Sequence, residues 1–184
     1  LALGEEARAI EKKVRESRYR DAVQIRTRWA VRPEDLQQIL LEDEPMVVHF
    51  SGHGEGTAGI VLHAVSEDED RLLNASVLAD LFRVYKRNIR VVVFNACFSE
   101  VQAQAVVQEI DFVVGMSDSI GDEAAKIFAA AFYRGLGFGQ SVQAAFDQGV
   151  LDLKLLGLDK DVDIPTLLVR SGVDASSESL VSAR

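Results

Sequence analysis

The chain has 184 residues, 48% of them hydrophobic, and a formal net charge of −9 at pH 7. This length allows one domain with a sizeable core and is short for two. The negative charge and the lack of a basic stripe in the sequence exclude a general nucleic-acid binder or a protein that binds anionic membranes. The sequence also has neither a bilayer-spanning apolar run nor a signal-peptide pattern.

The first third of the chain alternates amphipathic helices with short strands. Residues 5–17 carry apolar side chains at helical spacing among charged ones, which predicts a helix that buries one face. Residues 23–29 alternate apolar or β-branched with polar side chains, which predicts a half-exposed strand. A short helix opening at Pro33 and a buried strand over residues 46–50 follow, and residues 59–63 are predicted to form a strand in a hairpin or at a sheet edge.

The same alternation continues to the C-terminus. Residues 75–86 are predicted to form a helix capped by Asn74 or Ser76. Residues 89–94 form the most hydrophobic segment and therefore the expected central strand. Further helices are predicted over residues 99–109, 122–136 and 141–155, and further strands over Phe112–Met116 and Pro165–Val169. The serine-rich end, including residues 175–178, is predicted to be a frayed tail.

Strands that alternate with helices, several of them apolar on both faces, indicate an α/β fold with a mainly parallel sheet covered on both sides. In such sheets, functional sites gather at the carboxyl ends of the strands. His53 follows the strand at residues 46–50, and Cys97, the only cysteine, follows the strand at residues 89–94. A single cysteine forms no internal disulfide, which fits a reducing, cytoplasmic compartment.

A cysteine nucleophile with its base requires at least a thiol and an imidazole, and two strand ends of this chain carry them. An imidazole holds the thiolate as an ion pair or removes the thiol proton, and then protonates the leaving amine. The glycines beside His53 let a substrate backbone approach closely. The backbone amides of Gly54 and Cys97 are the candidate oxyanion donors.

Each residue also has a simpler interpretation. A lone cysteine is usually a small buried hydrophobe, and a Ser-Gly-His-Gly segment is compatible with a turn that carries a surface imidazole. A zinc site built from Cys97 and the three histidines, His49, His53 and His63, is disfavoured because no pair has the helical or knuckle spacing of such sites. Only the joint placement of His53 and Cys97 at strand ends favours catalysis.

The segment from His49 to Gly54 (HFSGHG), followed by the segment from Asn95 to Glu100 (NACFSE), resembles the CHAT domains, the caspase-like and separase-like cysteine peptidases common in bacteria. The resemblance covers residues 1 to about 170 and implies a caspase-like three-layer α/β/α sandwich around a mainly parallel sheet. It implies a CHAT peptidase domain over residues 1–172 and a C-terminal tail over residues 173–184. Members usually begin with an apolar strand before the first helix, and the residues before position 5 are too few to supply it. We therefore expect residues 1–172 to lack this first strand, which either lies upstream in the native protein or is missing.

The resemblance also implies an activity. It predicts a cysteine endopeptidase that forms a thioester between Cys97 and its protein substrate, with His53 as general acid/base and Gly54 in the oxyanion hole, and that needs no metal or cofactor. Its expected setting is bacterial signalling or antiphage defence, with a fused or associated sensor or regulatory module and neither nucleic acid nor membrane as direct partner. Two alternatives stay open: a catalytically silent interaction or assembly module, and a thiol hydrolase acting on a small ester or amide.

Substrate selection is expected in the loop that follows the strand after the cysteine. Related enzymes recognise the residue before the scissile bond there, and the corresponding residues are Met116, Ser117 and Asp118. Asp118 is either a carboxylate that pairs with a basic substrate side chain or an ordinary turn residue.

Overall fold

The structure of the chain, a computed structural model, describes residues 3–52, 58–62 and 71–182. Two compact units are present: one comprises Arg28–Ser119 and Thr166–Val173, the other Leu1–Thr27, Ile120–Pro165 and Asp174–Arg184. The helices are α1 (Leu3–Arg15), α2 (Asp35–Asp43), α3 (Ala75–Tyr85), α4 (Glu100–Val106), α5 (Asp122–Gly137) and α6 (Val142–Leu155). The strands are β1 (Val47–Ser51), β2 (Ile60–Leu62), β3 (Arg71–Leu73), β4 (Val91–Asn95), β5 (Phe112–Met116) and β6 (Pro165–Val169).

The main sheet has the strand order β1-β4-β5-β6, and β4 runs parallel to both β1 and β5. Every residue of β4 and β5 is buried, as expected for parallel strands covered on both faces. The predicted α/β fold with a mainly parallel sheet and flanking helices is therefore confirmed, with β4 in an interior position of the sheet.

An aromatic cluster fixes β1 against β4 close to the ends of both strands. Phe50 and Phe94 lie opposite each other in the ladder, and their rings stack with centroids 5.4 Å apart. Phe82 of α3 packs edge-on against both rings, at 6.3 and 6.5 Å. Such ring pairs stabilise by about 0.5–1.5 kcal/mol beyond the apolar area that they bury. The register of the two strands is thus held one residue before they end.

Helix α3 covers this cluster, and its start settles which of the two predicted residues caps it. The Asn74 side chain accepts a hydrogen bond from the N–H of Val77 at 3.0 Å, so Asn74 is the cap and Ser76 lies inside the helix. Leu78 and Phe82 are fully buried on the inner face. Within the described ranges, no helix is both long and apolar enough to cross a bilayer.

The second unit is built from α1, α5 and α6. Ile10 and Val14 of α1 pack against Ala129 of α5. A Cβ added at Gly135 of α5 would lie 2.8 Å from both the Cα and the Cβ of Ala145, so α5 and α6 approach closely there.

The serine-rich end is not a frayed tail, and that prediction is wrong. The carbonyl groups of Ala175 and Glu178 accept hydrogen bonds from the N–H groups of Gln143 and Val142, at 3.0 and 2.9 Å. The first N–H groups of a helix have no partner inside the helix, so these bonds satisfy donors at the start of α6. Ala175 is buried as a result.

The strand predicted over residues 23–29 is also wrong. The segment is irregular, its side chains from residue 24 onward are exposed, and Trp29 is 58% exposed. Alternation makes a strand only when a neighbour pairs with its backbone, and no strand among the described residues does so here. The strand predicted over residues 59–63 is observed as β2 and pairs with β3 in an antiparallel hairpin; its last predicted residue, His63, lies outside the described residues.

Candidate active site

Cys97 lies in the turn that joins the buried strand β4 to helix α4. The strand ends at Asn95, the helix begins at Glu100, and the Cys97 side chain is half-buried. The sequence predicted this position directly after a buried strand, and the prediction is confirmed. A cysteine that served only as a core hydrophobe would be enclosed, whereas this one keeps part of its surface in contact with solvent.

The residue after the cysteine adopts an unusual backbone conformation. Phe98 has a φ of 56°, in the left-handed region that few non-glycine residues occupy and that costs on the order of 1–3 kcal/mol. Its N–H donates to the carbonyl oxygen of Asp118 at 3.2 Å. The turn that carries Cys97 is therefore sharply bent and tied to the loop after β5.

Ser99 provides a second tie between the two strand ends. Its hydroxyl donates to the carbonyl oxygen of Phe94 at 2.8 Å and accepts from the N–H of Met116 at 3.0 Å. The side chain is 1% exposed, so both bonds lie where an unpaired polar group would be costly. Ser99 therefore connects the end of β4 to the end of β5 directly beneath the Cys97 turn.

Gly115 lets α4 pack closely against β5. A Cβ at this position would lie 2.8 Å from the Cβ of Ala103, 3.1 Å from the Cα of Glu100 and 3.2 Å from the carbonyl oxygen of Ser99. No side chain fits there unless the start of α4 moves. The absence of a side chain at Gly115 thus sets where the Cys97 turn sits above the sheet.

The strand that precedes His53 ends beside the strand that precedes Cys97. In the parallel ladder, Ser51 of β1 pairs with Asn95 of β4. His53 and Cys97 each follow in the sequence two residues after this pair. His53 and Gly54 themselves lie outside the described residues, so the dyad and the Gly54 oxyanion contact stay predictions. His49 is half-buried within β1, opposite Val93.

The three candidate specificity residues differ in exposure. Met116 is the last residue of β5 and is fully buried, so its side chain is enclosed in the core. Ser117 and Asp118 are exposed. One carboxylate oxygen of Asp118 accepts the N–H of Ser119, the next residue, at 2.6 Å.

Ser119 is a site residue that sequence reasoning did not single out. Its hydroxyl oxygen lies 3.6 Å from the sulfur of Cys97. The two residues are 22 positions apart, so no local pattern links them. Only the sheet topology could have indicated this contact, because Cys97 and Ser119 follow the carboxyl ends of two adjacent parallel strands.

Comparison with known proteins adds three findings. Residues 2–156 match the family model described as CHAT domain. A Roc-COR-CHAT protease from an unknown prokaryotic organism is 26% identical over 111 residues, which are 57% of this chain and only 10% of that protein. A solved structure of a secreted C11 cysteine protease from Bacteroides thetaiotaomicron, in complex with an irreversible peptide inhibitor, aligns with a TM-score of 0.44 and 16% identity over 63% of this chain and 35% of that one.

Proposed function

Because the chain belongs to the CHAT domain family, we propose that it is a cysteine endopeptidase in which Cys97 is the nucleophile and His53 the general acid/base. The observation that carries the proposal is the placement of Cys97: half-buried, in a bent turn after an interior strand, beside an exposed loop. The paired ends of β1 and β4 support His53 as its partner, since both segments leave the sheet at the same edge. A family relative named as a protease is consistent with this assignment.

The proposed reaction needs only protein groups and water. His53 takes the Cys97 proton, and the thiolate attacks the scissile carbonyl carbon. The backbone N–H groups of Gly54 and Cys97 stabilise the tetrahedral oxyanion. The C–N bond then breaks, His53 protonates the leaving amine, and the acyl group remains on sulfur as a thioester. Water, deprotonated by His53, hydrolyses the thioester and regenerates the thiol.

Labelling with a peptide acyloxymethyl ketone tests this function. We expect one adduct per chain on Cys97, mapped by mass spectrometry of the tryptic digest. The His53→Ala variant should react more slowly by a factor of about 10² or more, because it lacks the base that forms the thiolate. If Cys97 in the wild-type chain reacts no faster than glutathione, the silent interaction module is the correct description. Turnover of simple esters without turnover of any peptide would instead favour the small-substrate hydrolase.

A regulatory module is proposed as partner. The chain spans about a tenth of the length of the Roc-COR-CHAT relative, and the name of that protein lists Roc and COR beside CHAT. By analogy, a fused or associated sensor would switch this peptidase on against a protein target, in bacterial signalling or antiphage defence.

Asp118 is the proposed determinant of a basic residue before the scissile bond. Its side chain is exposed in the loop that contacts the Cys97 turn, and a carboxylate there would pair with Arg or Lys through charge-assisted hydrogen bonds. We expect Asp118→Asn to lower kcat/KM for Arg and Lys substrates by about tenfold, mainly through KM, and to leave substrates with a neutral residue unchanged. A peptide library that varies this one residue measures both effects. Equal losses for basic and neutral substrates would contradict the assignment and leave Asp118 as a turn residue.

A further inference from the structure

We infer that Ser119 is a positioning residue for the nucleophile: its hydroxyl donates a hydrogen bond to the sulfur of Cys97 and holds the thiolate ready for attack. The inference rests on the proposed function. It starts from one contact, the 3.6 Å separation between the Ser119 hydroxyl oxygen and the Cys97 sulfur. A neutral thiol and a hydroxyl can each act as donor. A thiolate has no proton to give, so in the reactive state only the Ser119 hydroxyl can donate.

The backbone on both sides of this contact is fixed by hydrogen bonds. The Phe98 N–H donates to the carbonyl oxygen of Asp118, which joins the residue after the cysteine to the residue before the serine. The Asp118 carboxylate accepts the Ser119 N–H at 2.6 Å. The first bond joins the residue after Cys97 to the residue before Ser119, and the second is made by Ser119 itself. The contact therefore follows from the turn geometry and does not depend on a long flexible side chain.

The bond would act on the charged state of sulfur. A hydrogen-bond donor stabilises the thiolate relative to the neutral thiol. Once the acyl group is on sulfur, that charge is gone and the bond weakens. When water later displaces the enzyme sulfur, the charge returns and the Ser119 hydroxyl stabilises it again. Ser119 would therefore assist both the formation and the hydrolysis of the thioester.

The test is the pH dependence of Cys97 alkylation by iodoacetamide, measured on the full chain. The reaction forms a C–S bond and releases iodide, so it reports the thiolate without requiring peptidase activity. We expect Ser119→Ala to move the pH profile toward higher pH and to lower the alkylation rate below the midpoint by about tenfold. Ser119→Thr, which keeps the hydroxyl, should restore the wild-type midpoint. Ser171→Ala, at an exposed serine outside this loop, controls for the loss of a surface hydroxyl.

The outcomes separate this inference from the proposed function. An unchanged midpoint in Ser119→Ala overturns the inference, even if the wild-type chain cleaves peptides. A shift that Ser119→Thr does not restore, or that comes with a lowered melting temperature, also overturns it, because a structural role would suffice. A restored shift with no peptide cleavage by the wild-type chain supports the contact and rejects the peptidase. In an active chain, Ser119→Ala should lower kcat and leave KM unchanged.

Discussion

Cys97→Ala is expected to abolish peptide cleavage, with kcat/KM lowered by a factor on the order of 10⁴ or more. The substitution removes the atom that would form the proposed thioester, and the nearby Ser119 hydroxyl is a far weaker nucleophile than a thiolate. The side chain is only half-buried, so the loss of one sulfur atom should change the free energy of unfolding by about 1 kcal/mol or less. Cleavage of a fluorogenic peptide library and thermal melting, measured on the same preparation, check both parts.

Cys97→Ser is the matched variant for this experiment. It keeps the size and a polar group but supplies a hydroxyl that is a far weaker nucleophile at neutral pH. Activity should therefore fall nearly as far as in Cys97→Ala, with an unchanged melting temperature. Residual cleavage by Cys97→Ala above a mock preparation would show that Cys97 is not the nucleophile.

Gly115→Ala is expected to produce the largest loss of stability among conservative changes near the site. Its Cβ would lie within 2.8–3.2 Å of atoms of Ser99, Glu100 and Ala103. These are backbone atoms or a short side chain that cannot rotate away, so the start of α4 must shift. We expect the free energy of unfolding to fall by about 2 kcal/mol and the melting temperature by about 5 °C.

The same displacement should be felt at the active site. Ser99 bonds to the ends of β4 and β5 and follows Cys97 by two residues, so moving it shifts the proposed nucleophile. Labelling of Cys97 by the peptide ketone should therefore slow in Gly115→Ala even at temperatures where the protein stays folded. Gly52→Ala is the control for stability, because a Cβ at Gly52 meets no atom of the described residues within 4 Å. Equal melting temperatures for the two variants would contradict the packing argument.

The sequence predicted the strands of the main sheet well because the signal of an apolar strand does not depend on context. Phe112–Met116 and Pro165–Val169 have the predicted bounds, and the continuous apolar run Val91–Phe94 supplies the first four of the five residues of β4. A strand buried on both faces needs apolar side chains at every position. The same apolar run predicted the position of Cys97, because the end of the strand determines where the following turn begins.

Other predictions failed where a distant partner decides the structure. Residues 23–29 have a strand-like alternation, but no described strand pairs with them. Ala175 lies in a serine-rich segment that is typical of a frayed end, yet its carbonyl accepts a hydrogen bond from α6. Strand β3 was missed because it is only three residues long and owes its existence to β2. In each case the structure depends on whether a residue far away in the sequence provides a hydrogen-bond partner.

The candidate site likewise has a part that the sequence predicts and a part that it does not. The position of Cys97 was predictable from the strand before it, whereas the hydroxyl groups of Ser99 and Ser119 were not. Ser99 looked like an ordinary start of a helix, and its side chain instead bonds to Phe94 and Met116. Ser119 approaches Cys97 only because β4 and β5 are neighbours in the sheet.

The pairing of Ser51 with Asn95 has a consequence for changes in chain length. Consecutive residues of a strand are about 3.3 Å apart, whereas hydrogen bonds tolerate only a few tenths of an ångström. Inserting or deleting one residue within β1 would shift the end of β1 relative to the end of β4 by that full step. It would also turn the Phe50 ring to the opposite side of the sheet, away from Phe82. The number of residues in this strand is therefore under tighter constraint than the identity of any one of them.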